Sequence, residues 1–161
     1  MPSSVYIESS VISYLTARPN RDVVIASRQA ITSEWWMDHM VHYEVYISAL
    51  VIEEISAGNP VAAAARLQAV ANIPIITIDP GAESLAEALL TAGAVPANSE
   101  RDALHIAIAA LQGSDFLLTW NFKHINNAET RGIITTVIAD SGWVCPVLCS
   151  PEELIGNNDA E

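Results

Sequence analysis

The chain is short of positive charge, of cysteine and of long apolar runs, and each shortage closes off a class of protein. Only 7 Lys and Arg stand against 19 Asp and Glu in 161 residues, a formal net charge of -12. Such a surface repels nucleic-acid phosphates at long range, so a polyanionic substrate must be received by a metal ion or a local group of Arg and Lys. A basic protein partner is the easier expectation. The two cysteines lie in Cys145-Pro146-Val147-Leu148-Cys149, with no second pair and no nearby histidine. That argues against zinc and for buried, reduced thiols. No apolar stretch approaches the ~18 residues of a membrane span, and Met1-Pro2-Ser3-Ser4 carries no cationic region leading into an apolar one. The expectation is a cytosolic protein with no membrane association. There is also no Asp-x-Asp nucleophile motif and no phosphate-cradling glycine loop, which weakens a phosphoryl-transfer reading.

What is present is apolar: 51% hydrophobic against 16% charged residues, enough to bury a core without disulfides or metal staples. We expect a single domain over 1–155 and a frayed tail over 156–161. Val5-Tyr6-Ile7 is a β-prone run that meets Glu8, two hydroxyls, and then helical spacing from Val11 to Leu15. Asp22 can cap a long amphipathic helix reaching about Met40, whose heavy end of Trp35, Trp36, Met37 and Met40 suits core packing or a protein interface. Glu44 to Ser48 alternates as a second strand and runs into a helix over Ala49 to Ile55. Gly58-Asn59-Pro60 separates this from a helix over Val61 to Val70. Ile73 to Ile78 reads as a third strand, and Asp79-Pro80 opens a helix closed by Gly93. A strongly buried helix starts near Asn98 or Ser99, Phe116 to Trp120 reads as a fourth strand, and Ala128 to Ala139 as a further helix. Val144 to Leu148 is an edge-strand candidate, and Ser150-Pro151-Glu152-Glu153 opens a last helical turn. This alternation implies a parallel sheet sandwiched by helices.

Three acids occupy corresponding places: Glu8 after strand one, Glu54 on the helix after strand two, and Asp102 at the start of the buried helix. Strand ends of one parallel sheet converge, and ligands sit at their carboxyl ends. Carboxylates gathered there repel one another unless a cation sits among them. Oxygen donors favour Mg²⁺ or Mn²⁺, ions that activate water and neutralise a phosphodiester. Each acid also has a plainer role open to it. Glu8 suits a solvated helix first turn, Ser99-x-x-Asp102 matches a capping box, and one of Glu53 and Glu54 is solvated surface. His105 shares a face with Asp102 and suits core packing as well as ligation.

The set Tyr6-Ile7-Glu8-Ser9-Ser10-Val11-Ile12, Ser48 to Ile55, Asp102 to Ala109 and Leu117-Leu118-Thr119-Trp120-Asn121 resembles the PIN-domain family, in particular VapC-type toxins. The resemblance covers nearly the whole chain and implies an α/β fold, a three-layer α/β/α sandwich around a mainly parallel sheet. It also implies RNA cleavage with Mg²⁺ or Mn²⁺ held by a quartet of acids. Carried over, the quartet falls on Glu8, Glu54, Asp102 and Asn121, with Glu8, Glu54 and Asp102 as metal ligands. Ser10 steadies the first acid and Thr119 is a further supporting residue. Apart from the resemblance, Lys123 and His124 follow within reach of the same mouth, where either can meet a phosphate, and His124 suits a structural role equally well. Glu8 departs from the family's Asp by one methylene, and Asn121 lacks its charge. The implied function is a metal-dependent endoribonuclease, the toxin of a toxin-antitoxin pair, commonly a homodimer and paired with a basic antitoxin. The competing reading is a catalytically weakened PIN domain serving as a binding or assembly module.

Overall fold

Val5, Tyr6 and Ile7 are fully buried, as a central parallel strand covered on both faces requires. They belong to β1 (Ser4–Ile7), which lies between two other parallel strands. The structure is a computed structural model that describes residues 2–155; the tail 156–161, expected to fray, lies outside them. After β1 come α1 (Ser9–Thr16), α2 (Val23–Glu34), β2 (Glu44–Ser48), α3 (Ala49–Ile55), α4 (Pro60–Ala69) and β3 (Ile75–Ile76). The second half adds α5 (Gly81–Thr91), α6 (Glu100–Gln112), β4 (Phe116–Leu118), α7 (Arg131–Asp140) and β5 (Val147–Cys149).

The strand order is β3-β2-β1-β4-β5, parallel throughout, with Tyr6 in register with Tyr46 on one side and Leu117 on the other. The chain winds outward from β1 to β3, then returns to lay β4 and β5 on the opposite side. With right-handed crossovers, that reversal puts α1 to α4 on one face and α5 to α7 on the other. The packing agrees: α1 rests on α2, α3 and α4, and α5 on α6 and α7. The expected three-layer α/β/α sandwich is therefore present. Its topological switch point lies between the carboxyl ends of β1 and β4, where Glu8 and Thr119 emerge.

Several boundaries differ from expectation for local reasons. The long helix ends as α at Glu34 and continues as a π-helical turn over Trp35–His39 and a 3-10 turn over Met40–His42. The wider turn keeps both Trp35 and His39 buried. Trp35 stacks on Tyr43 at 6.1 Å between ring centroids, so the heavy aromatic end serves the core, while Met37 and Val41 stay exposed. The third strand shrinks to Ile75–Ile76 at the sheet edge, where short strands limit unwanted pairing. Pro74 cannot donate to the ladder, though its carbonyl accepts from Ile47 N at 3.0 Å. The fourth strand stops at Leu118 because Trp120 N turns away to Ser10 Oγ, 2.8 Å. Residues 121–130 form successive turns, so α7 begins at Arg131 rather than Ala128. The edge strand is Val147–Cys149, and the last turn, over Pro151–Leu154, is 3-10. There Glu153 Oε1 accepts from Ser150 N at 3.1 Å, as a capping residue does. Both cysteines are free thiols, and burial pushes Cys149 up to about 12.

Candidate metal centre

Glu8 is the N-cap of α1 rather than a solvated first-turn acid: it is extended in backbone, buried, and accepts from Ser10 N at 3.1 Å. Two hydroxyls also donate to its Oε1, Ser10 Oγ at 2.5 Å and Thr119 Oγ1 at 2.6 Å. Each hydroxyl in turn accepts from the β4 exit loop, Ser10 from Trp120 N at 2.8 Å and Thr119 from Asn121 N at 2.9 Å. Burying an ionised carboxylate is unfavourable unless hydrogen bonds replace its water. Here three donors do so, and they tie the ends of β1 and β4 together.

Glu54 reaches the same place from α3, whose N-cap Ser48 accepts from Val51 N. Its Oε1 accepts from Ser9 Oγ and from His105 Nε2, both at 2.5 Å. Burial pushes the Glu54 carboxyl up, but the hydrogen bonds from His105 and Ser9 and the charge of Arg101 outweigh it. The net result holds the carboxyl below its ordinary value. Glu53, the neighbouring acid, is exposed and paired with exposed Arg101 at 2.8 Å, a solvent-screened surface contact that contributes little to stability. The adjacent acids thus divide, one inward and one outward.

Among the described residues, Glu8, Glu54 and His105 each offer a ligand atom lying within 4.8 Å of the others. Asp102 is outside that group. It shares with Glu54, Arg101 and His124 a cleft of about 560 Å³, and its Oδ2 accepts from His124 Nδ1 at 2.8 Å. The expected capping box does not form: Ser99 makes no side-chain bond to the helix N-terminus, and its Oγ lies 3.2 Å from the same His124 nitrogen. Asn121 Oδ1 accepts from His124 N at 3.0 Å, closing the turn that presents His124. Lys123 is exposed in that turn.

The donor set fits a divalent cation. Two carboxylates converge from different elements, and no hydrogen bond among the described residues reaches Glu54 Oε2, which leaves that oxygen open to an ion. Carboxylate oxygens suit Mg²⁺ and Mn²⁺. The family profile described as PIN domain matches residues 5–128. The chain belongs to the PIN domain family. PIN domains are generally metal-dependent nucleases that use divalent ions, and the acidic group at the β1–β4 switch point occupies the place such an ion needs. No curated protein matches the chain.

Two residues with a part in this PIN-domain site, Ser9 and Tyr6, are not marked for it by the sequence, and a third, His105, is left undecided. The resemblance marks only Ser10, although the pair of hydroxyls serves both acids. Tyr6 read only as a strand residue; its position two before Glu8 points it to the same face of β1. His105, open between packing and ligation, is fully buried with both nitrogens bonded, Nε2 to Glu54 and Nδ1 to Tyr6 Oη at 2.8 Å.

Proposed function

We propose that the chain is a Mg²⁺- or Mn²⁺-dependent endoribonuclease of the VapC kind. The observation that carries the reading is the meeting of Glu8 and Glu54, from α1 and α3, at the switch point of a PIN fold. In this reading Glu8 and Glu54 hold the ion and Asp102 completes its acidic surroundings from the cleft. When bound, the ion supplies charge neutralisation at the phosphodiester and a more acidic water. The chain's own residues do the rest. Ser10 and Thr119 keep Glu8 turned toward the site, Ser9 and His105 do so for Glu54, and Asn121 shapes the turn carrying His124. Arg101, Lys123 and His124 give an otherwise acidic surface a few cationic or donor groups to meet phosphate.

The toxin role, a basic antitoxin partner, a homodimer and a cytoplasmic setting belong to the same proposal. The net charge of -12 supports a basic partner, and exposed Met37 and Val41 offer apolar surface for a second copy. The competing reading, a weakened PIN domain acting as a binding module, draws on Asn121, whose oxygen is spent on His124 N. Incubating purified protein with single-stranded RNA and Mn²⁺, beside Asp102→Asn and Glu54→Gln, separates the two. Cleavage by wild type and its loss in both variants is expected. Equal degradation by all three would end the nuclease reading, and no degradation by the purified wild type, free of any partner, would favour the module.

A further inference from the structure

Behind Glu54 lies a buried file of polar side chains that the proposed reaction leaves unexplained. Ser48 Oγ is 2.8 Å from Tyr6 Oη, Tyr6 Oη is 2.8 Å from His105 Nδ1, and His105 Nε2 is 2.5 Å from Glu54 Oε1. Ser48 and His105 are fully buried, as is Tyr6. In such a place each hydrogen needs an acceptor. Counting them decides the direction of every bond.

Ser48 has one hydroxyl hydrogen and two hydrogen-bonding neighbours among the described residues. Val51 N is itself a donor to Ser48 Oγ at 3.4 Å, so the hydrogen must go to Tyr6 Oη. Tyr6 then has to give its own hydrogen to His105 Nδ1. Nδ1 is therefore an acceptor, and the imidazole proton sits on Nε2, aimed at Glu54. The reverse polarity strands the Ser48 hydrogen in the core and sets a bare nitrogen lone pair against a carboxylate.

We infer that Ser48 and Tyr6 fix His105 as the Nε2–H tautomer, making His105 a positioning residue that holds Glu54 for the cation, not a nitrogen ligand to it. The inference rests on the reading of Glu54 as a cation ligand given above. It makes the inner site one of oxygen donors, with Glu54 Oε1 occupied by Ser9 and His105 and Oε2 presented to the ion. A carboxylate fixed in this way binds a hard ion without reorganising, and losing such support weakens metal binding by about 10- to 100-fold in comparable sites.

The test begins with protein labelled with ¹⁵N in histidine, free of metal, with the His105 signals assigned by their loss in His105→Gln. A protonated Nε2 and an unprotonated Nδ1 are expected; a protonated Nδ1 overturns the inference. Mn²⁺ is then added to unlabelled protein and its affinity and electron spin-echo modulation are measured. No coupling to a directly bound imidazole nitrogen is expected, and such coupling would overturn the inference. His105→Gln keeps an N–H donor toward Glu54 and should hold Mn²⁺ within a few-fold of wild type, whereas His105→Leu should lose about 10-fold or more. Equal loss in both variants counts against a donor role. Wild-type protein that takes up no Mn²⁺ sinks the metal-site reading itself and the positioning role with it. An Nδ1–H tautomer with Mn²⁺ bound sinks only the inference.

Discussion

Glu8 Oε1 and Thr119 Oγ1 meet at 2.6 Å although 111 positions separate them in the chain. The contact joins the first strand's exit to the fourth's at the point where the sheet's winding reverses. Thr119 has a single hydroxyl hydrogen, and giving it to Glu8 leaves the oxygen free to accept from Asn121 N. One small side chain thus orients an acid of the site and anchors the loop that carries Asn121 and His124.

Thr119→Val tests that double duty. The swap keeps the shape but removes a donor from a buried carboxylate and an acceptor from Asn121 N, and each loss leaves a polar group unpaired. A destabilisation of about 2–4 kcal/mol is expected in chemical denaturation, with weaker Mn²⁺ binding in the protein that still folds. A variant as stable as wild type would show that water replaces the hydroxyl and that Thr119 is not the anchor.

Glu54 sets an acid limit on stability. Its carboxyl is held below its ordinary value of 4.5 despite burial, because His105, Ser9 and Arg101 favour the charged form. A group depressed in the folded state stabilises the fold fully above its unfolded value and loses that contribution as pH falls through the folded one. The stability difference between wild type and Glu54→Gln should therefore be constant near neutrality and shrink below about 4.5. Denaturation curves across that range check it; a gap that widens in acid would reverse the assignment.

How much of this was legible in the chain follows from what each residue depends on. β1 and β2 were readable because central parallel strands are apolar on both faces, and Val5-Tyr6-Ile7 and Tyr46-Ile47 are. The third strand was readable as a strand but not as a two-residue edge, Ile75–Ile76, since nothing in Ile73-Pro74-Ile75-Ile76-Thr77-Ile78 tells a solvent-exposed edge from an interior strand. Glu8 and Glu54 could be placed near one another by the convergence of strand ends. The partners of Asp102 could not, because Ser99-x-x-Asp102 has the spacing of a cap, and only the turn at Asn121 brings His124 to Asp102. His105 was ambiguous for the same reason: its role depends on Tyr6 and Ser48, which come from β1 and β2 and meet it only in the folded core.

Asn121→Asp asks whether the missing charge limits the site. The side-chain oxygen that accepts from His124 N would survive the change, so the turn is expected to hold and the fold to be unaffected. Added negative charge near the cleft should tighten Mn²⁺ binding on the order of tenfold if residue 121 faces the ion, since affinity for hard cations rises with ligand charge. Calorimetric titration of the two proteins decides it. Unchanged affinity would place residue 121 beyond the ion's reach and leave it only as a turn-former.

A divalent ion that binds the folded state alone must raise thermal stability, by ~2.7 kcal/mol at a concentration 100 times its dissociation constant. With a net charge of -12, however, any cation relieves self-repulsion to some degree, so stabilisation by itself is weak support for a site. Glu53 supplies the control. Glu53→Gln and Glu54→Gln remove the same charge from adjacent positions, but Glu53 lies on the surface with Arg101 while Glu54 joins Glu8 and His105 within 4.8 Å. General screening would change equally in the two variants. A built site predicts that Mn²⁺ stabilises Glu53→Gln as it does wild type, and that Glu54→Gln and Glu8→Gln keep only the small rise seen with an equal ionic strength of NaCl. Differential scanning calorimetry with and without Mn²⁺ measures both, and a rise in Glu54→Gln matching that in Glu53→Gln would mean the acids at the switch point hold no ion.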